Sequence, residues 1–285
     1  MNNQIPQKPE VPIILIERDD EPRPRLHWLW AALIAAALIL AAAGAFWYWR
    51  YTDIGISIST KPAENIQKLK APLKPEQPQV IMTSDTIMDV ALDFYAIHGL
   101  QASIEFQEPD TADTSVYLYC RSADHKPDST YIGSLVVDGK SYTEDRSRLG
   151  YMAMADGRMV IGISRSEKVK DYVQERGGSF FRQFILVSNG ELPQRFFLRG
   201  KVERRAIGRI GNQLYYITTR HKETLWDFAD ALQEYGFIDA IYITGGADYG
   251  FYRTLDGQRH DIVSPDSYPH TRWAGTIPWL VFRKR

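Results

Sequence analysis

Three kinds of pattern alternate along the chain. The first is one unbroken apolar run: from Leu26 to Trp49 there is no Asp, Glu, Lys or Arg. A helix needs about 20 such residues to cross a bilayer. Trp28 and Trp30 at one end, and Phe46, Trp47, Tyr48 and Trp49 at the other, have the placement of aromatic belts at two membrane interfaces. The second pattern has helical period. Ile87, Val90, Ala91, Phe94 and Tyr95 predict a helix over Asp85 to His98, stopped by Gly99, with His98 as a surface or capping group in its last turn. A short helix is predicted over Glu167 to Glu175. A third is predicted over 224–235, where Leu225, Phe228, Ala229, Leu232 and Tyr235 share one face and Asp227, Asp230, Gln233 and Glu234 the other. Thr224 is placed to cap its start and Gly236 its end.

The third pattern is strand-like. Strong β formers fill Ser115 to Arg121 and Tyr131 to Val137, and further strands are expected over Met159 to Ser164, Ser179 to Gly190, Ala206 to Ile210, Gln213 to Thr219, Ala240 to Ile243 and Trp273 to Phe282. Turn signals separate several of them: Asp138-Gly139, Asp156-Gly157, Asn189-Gly190 and Gly211-Asn212. These elements predict an α+β domain over 83–285, with a twisted, mostly antiparallel or mixed sheet and a few packed helices, preceded by one transmembrane helix.

Ahead of that domain, 1–26 is polar and Pro-rich and reads as a disordered tail. The apolar run, 27–49, reads as a signal anchor. Residues 50–82 carry Lys61, Lys68, Lys70 and Lys74 among Pro62, Pro72, Pro75 and Pro78, a composition suited to an extended linker. Arg23 and Arg25 flank one end of the run and Arg50 the other. This favours the N-terminus inside and the large domain outside the cytoplasm, in the periplasm of a bacterium. Ala43-Gly44-Ala45 also fits a small-x-small cleavage site, so cleavage after Ala45 stays open.

Charge and cysteine content narrow the partners. Of 285 residues, 34 are Lys or Arg and 35 Asp or Glu, a net charge of -1, so no basic stripe points to nucleic acid. Cys120 is the one cysteine; an intramolecular disulfide and a cysteine-rich metal site are therefore excluded, and Cys120 reads as a buried apolar residue. His221, His260 and His270 have no metal-ligand spacing. No P-loop, dinucleotide fingerprint or nucleophile elbow is present, so no cofactor is expected.

The stretch from Glu203 to Tyr252 carries the most information: Arg pair, hairpin, amphipathic helix, buried strand, then Thr244-Gly245-Gly246. Its order and spacing resemble the C-terminal half of the phosphodiester glycosidase domain, the family of the mannose 6-phosphate uncovering enzyme. That family has Arg-Thr-Ala-Ile-Gly, a strand, a Leu/Ala-rich helix, then Ala-x-Asn-Leu-Asp-Gly-Gly-Gly-Ser. Here those segments read Arg204-Arg205-Ala206-Ile207-Gly208 and Ala240 through Asp248. The family's Asp is Thr244, and its third Gly and its Ser are Ala247 and Asp248. The family's opening Ala-x-Asn-Gly-x-Phe-Phe motif is missing; its counterpart would fall near Tyr119-Cys120-Arg121-Ser122. The likeness extends more faintly back to Tyr117, through turns such as Asp138-Gly139-Lys140.

The resemblance implies a site for a sugar-1-phosphodiester or glycan. Such chemistry needs a cation for the phosphate, a proton donor or acceptor, and charge stabilisation at the anomeric carbon. Arg204 stands at the family's Arg position and could hold phosphate in a bidentate fork; Arg205 stands beside it where the family has Thr. Gly245 and Gly246 could offer backbone amides to an anion or simply make a tight turn. Thr244 cannot replace a carboxylate, since its hydroxyl stays neutral. Asp248 is either the relocated carboxylate or an ordinary turn residue, and His221, just before the last helix, is either a proton shuttle or a surface loop group. Two functions follow: a hydrolase with an altered or impaired site, or a non-catalytic domain on the same fold that binds a glycan or a protein partner.

Overall fold

The computed structural model describes residues 26–51, 59–73, 75–124, 130–193, 196, 199–246, 249–263 and 277–284. Residues 1–25, expected as a disordered tail, lie outside them, as do Asp248 and His270. The chain divides into two compact units, 1–48 and 49–285.

Helix α1 (Leu26–Tyr51) is the apolar run. Its stretch Trp28–Phe46 is long and apolar enough to cross a membrane, with mean hydropathy 2.3 and none of it buried. That describes a membrane anchor or a signal sequence alike.

The second unit opens with α2 (Pro62–Lys70) and β1 (Gln79–Ile87), then β2 (Val90–His98), β3 (Leu100–Glu105), β4 (Val116–Arg121), β5 (Leu135–Val137), β6 (Lys140–Thr143), β7 (Gly150–Ala155) and β8 (Arg158–Ile163). After α3 (Lys168–Glu175) come β9 (Ser179–Gln183), β10 (Ile185–Ser188), β11 (Arg204–Ile210), β12 (Gln213–Thr219), α4 (Leu225–Glu234), β13 (Asp239–Gly245), β14 (Tyr249–Arg253), β15 (Arg259–Val263) and β16 (Trp279–Lys284). The strands form three sheets, in the orders β1-β2-β12-β11-β13-β10, β15-β14-β4-β16-β3 and β6-β5-β9-β7-β8. Every described pairing between these strands is antiparallel.

Alternation along the strands assigns the faces. On the six-stranded sheet, Ile207, Tyr216, Ile241 and Ile243 point into a central core, where they meet Leu118, Cys120 and Leu280 of the second sheet and Met152, Ile163 and Phe181 of the third. Cys120 is buried there as a free thiol. Ala206, Ile217, Ala240 and Tyr242 point to the other face, against Leu225, Phe228 and Leu232 of α4. The Thr224 hydroxyl caps α4 by accepting from the Asp227 amide at 3.0 Å, and Gly236 follows with φ +100°.

Three expected elements are different. The single strand expected over 179–190 is two: β9 in the five-stranded sheet with β5 and β7, and β10 at the edge of the six-stranded sheet. The helix expected over 85–98 is instead a hairpin of β1 and β2, joined at Met88 and Asp89. Strand β2 lies inside the sheet between β1 and β12 and is buried on both faces. Phe94 and Tyr95 enter opposite cores, so strict alternation is lost and the apolar spacing mimics a helix. Gly99 ends β2 with φ +61°, where a Cβ would collide with the Glu76 carbonyl. The segment expected as an extended linker is partly folded. Pro62 starts α2, Glu64 lies in its first turn and Lys68 and Lys70 in its last, as the helix dipole favours. Leu69 is buried against Val169 and Val173 of α3. The buried Asn65 amide donates to the Tyr151 hydroxyl at 2.6 Å.

Candidate functional site

The residues singled out between Arg204 and Gly246 converge at one end of the six-stranded sheet. Strands β11 and β13 are neighbours, with Arg204 opposite Gly245 and Arg205 opposite Thr244. A register shift between Arg205 and Ala206 sets these two pairs off from the rest of the β11–β13 ladder. The loop that precedes α4 is pinned beside them, because Val202 and Glu223 exchange backbone hydrogen bonds of 3.2 and 2.8 Å.

A residue not foreseen completes the cluster. Asp124 lies just past the end of β4, on the second sheet. Its neighbour Ser122 anchors that exit, donating through both its amide and its hydroxyl to the Pro278 carbonyl at 2.9 Å. The Asp124 carbonyl accepts from the Ile132 amide at 3.0 Å. Its carboxylate oxygen Oδ1 accepts from the Thr244 hydroxyl at 2.6 Å and from the Gly245 amide at 3.4 Å. A carboxyl thus sits against Thr244 after all, supplied from the facing sheet.

Burial dominates the electrostatics of Asp124. It pushes this carboxyl above the usual carboxylate range, while the Thr244 hydroxyl, the Gly245 amide and the positive charges of Arg121 and Arg204 pull it partly back. Tyr242, on the same strand as Thr244, is buried too, and desolvation with the nearby Asp124 charge holds its phenol protonated.

The two arginines are held by the protein's own acceptors. Arg204 is 7% exposed. Its Nε donates to the Glu223 carbonyl at 3.0 Å, Nη2 to the Gly200 carbonyl at 2.7 Å and Nη1 to the Tyr242 hydroxyl at 3.4 Å. Arg205 donates to the Gly246 carbonyl at 2.6 Å and to the buried Glu203 carboxylate at 3.1 Å. The charge of Arg204 favours the ionised form of Asp124. The geometry does not display a bare fork toward solvent.

The glycine amides are engaged as well. The Gly246 amide donates to the Glu203 carbonyl at 3.0 Å, and the Gly245 amide faces Asp124. Gly245 is required by packing, since a Cβ there would press into the Tyr242 hydroxyl. Gly246 has φ +80° with open space around its Cβ position, so its demand is conformational. His221 is exposed in the turn between β12 and α4. Among the described residues no group of His, Cys, Asp and Glu could hold a metal ion.

Asp124, Glu203 and Tyr242 are the site groups that motif reading missed. The signal for Asp124 was nearby: the position expected for the missing Asn-Gly motif ends at Ser122, two residues earlier. A cavity of about 470 Å³ opens elsewhere, lined by residues such as Arg209 and Asp239 at the far end of β11 and β13.

No protein-family profile matches the chain, and no curated protein sequence does. Solved structures do match. The catalytic domain of zebrafish N-acetylglucosamine-1-phosphodiester alpha-N-acetylglucosaminidase, auto-inhibited by its pro-peptide, aligns with a TM-score of 0.52 at 13% identity, over 75% of this chain and 85% of that one. A hypothetical protein from Synechocystis aligns with a TM-score of 0.53 at 10% identity, over 75% of this chain and 64% of that one. At such identities the likeness is one of fold.

Proposed function

We propose that this protein is a membrane-anchored relative of the phosphodiester glycosidases, acting outside the cytoplasm on sugar-1-phosphodiesters of glycans, with Asp124 in place of the carboxylate that Thr244 lacks. The observation that carries this reading is the Asp124–Thr244 contact at the end of β13. Cleaving the bond between an anomeric carbon and a phosphate oxygen leaves an oxygen that needs a proton, and water adds to the carbon. A carboxyl whose hold on its proton is strengthened by burial can give that proton. The neighbouring guanidinium charges of Arg204 and Arg121 favour the negative charge that develops on the phosphate side. Arg205 and Glu203 hold the Gly246 turn in shape. The zebrafish enzyme acts on N-acetylglucosamine-1-phosphodiesters by its name, which makes that sugar the first substrate to try.

A second reading, a non-catalytic glycan- or partner-binding domain, has its own support: the donors of Arg204, Arg205, Gly245 and Gly246 are occupied by protein acceptors. One experiment separates the two. Full-length protein in detergent is incubated with the methyl diester of N-acetylglucosamine-1-phosphate, and released sugar is measured. The first reading expects turnover that falls about 10²-fold or more in Asp124→Asn, the usual contribution of a general acid. Binding without turnover, unchanged in Asp124→Asn, would favour the second. The anchoring is tested by fusing alkaline phosphatase after residue 80. An active fusion is expected, and an inactive one would reverse the orientation.

A further inference from the structure

The cavity at the opposite end of the sheet is a separate place from the cluster around Asp124. Arg209 lies five residues along β11 from Arg204, about 17 Å at the rise of a strand. Its walls come from the end of α2, the β2–β3 and β7–β8 turns and the β11–β12 hairpin, with Phe282 of β16 also lining it. At about 470 Å³ it falls within the range of small-molecule sites.

The lining has an apolar part and a cationic part. Ile97, Met159, Ile161, Leu214 and Phe282 supply the first. Arg158 is anchored at the rim, with Nε donating to the Ala71 carbonyl at 3.1 Å and Nη2 to the Pro72 carbonyl; neither acceptor carries a charge. The ammonium of Lys68, on the last turn of α2, makes no ion pair or hydrogen bond among the described residues. The third cation, Arg209, is neutralised by the Asp239 carboxylate. The remaining acid, Glu76, turns its oxygens to His98 Nδ1 at 2.7 Å and to the Gly99 amide at 3.2 Å. Two cationic side chains without carboxylate partners among the described residues therefore line the same cavity as this apolar group.

We propose that this cavity binds a small organic anion with an apolar body, its carboxylate or phosphate held by Lys68 and Arg158 and its body lying on Met159, Leu214 and Phe282. The charge of an anion would complete what the protein leaves open, and the apolar group would bury its apolar part. The site is independent of the reading of Asp124.

The test uses full-length protein in detergent with 4-phenylbutyrate as probe and its neutral counterpart 4-phenylbutanol as control. Binding is followed by isothermal titration against a micelle-only blank. The acid should bind saturably and at least about tenfold more tightly than the alcohol, the ratio that about 1.4 kcal/mol gives. Lys68→Gln should lower its affinity several-fold, and Ala71→Trp, at the exposed mouth, should abolish it. Asp124→Asn should leave it unchanged. Equal affinity for acid and alcohol, indifference to both Lys68→Gln and Ala71→Trp, or absence of saturable binding would overturn the proposal. Because Lys68 and Ala71 are exposed, loss of binding in those variants can be separated from unfolding by circular dichroism.

Discussion

Thr244→Val is the most informative single change at the candidate site. It keeps the shape of a side chain that is 2% exposed and removes only the hydroxyl that donates to Asp124 at 2.6 Å. What that bond is worth depends on the acceptor. A hydrogen bond to a neutral group contributes about 0.5–1.5 kcal/mol, and one to a charged group about 1.5–3 kcal/mol. Asp124 is neutral at low pH and ionises only above the ordinary carboxylate range, because burial raises it. The cost of Thr244→Val should therefore start near the neutral figure at acid pH and rise by about 1 kcal/mol as Asp124 ionises. Losing a donor that stabilises the anion should also move the ionisation further up. The assay is urea unfolding of wild type and variant in detergent, read by tryptophan fluorescence at intervals from pH 4 to 9. A cost that stays flat across that range would mean that Thr244 and Asp124 are not coupled, and the account of the site would fail with it.

Asp124→Asn tests the same carboxyl by proton linkage. The native carboxyl holds its proton to higher pH than the unfolded chain, whose value is about 3.9, so wild-type stability falls as pH rises from there through the native ionisation and is level above it. The Asn variant lacks that slope, so its stability relative to wild type should improve between acid and neutral pH; a pH profile parallel to wild type would refute the assignment. Leu232→Ala removes a fully buried side chain where α4 meets the sheet and should cost about 2–5 kcal/mol in denaturant unfolding, whereas less than 1 kcal/mol would contradict the packing. Met88 and Asp89 turn the β1–β2 hairpin with φ +49° and +64°, values that Asn-Gly adopts with less strain. Met88→Asn with Asp89→Gly should accordingly raise the melting temperature, and a fall would place the turn elsewhere.

That hairpin also marks where the fold could and could not be read from sequence. Asp138-Gly139, Asp156-Gly157 and Asn189-Gly190 were recognisable turns, and both residues of each have positive φ. Met88-Asp89 has the same conformation with neither an Asn nor a Gly. Without a turn signal, and with β2 buried on both faces, nothing local separated strand from helix between 85 and 98. The α4 segment was legible for the opposite reason. It packs one face on the sheet and leaves the other to solvent, so period, cap and stop residue agree. Pro62 was legible in principle as a helix start, but among four lysines and four prolines it counted as linker composition.

The site divides along a similar line. Arg204, Thr244 and Gly245 were singled out together on the family resemblance, and the structure pairs the start of β11 with the end of β13 across the intervening hairpin and helix. Asp124 was not found because its contact joins two sheets across 120 residues, and no local pattern records it. Yet the two positions constrain each other physically. Two buried carboxylates in contact would repel, and one would have to take up a proton to stay. A hydroxyl facing a carboxyl needs no such adjustment: it donates the hydrogen bond that the carboxyl lacks. The Thr at the strand end and the Asp on the facing sheet are therefore best understood as one unit. Thr244→Asp alone would then put two acids in contact, whereas Thr244→Asp combined with Asp124→Asn would exchange the partners and keep one carboxyl in the cluster.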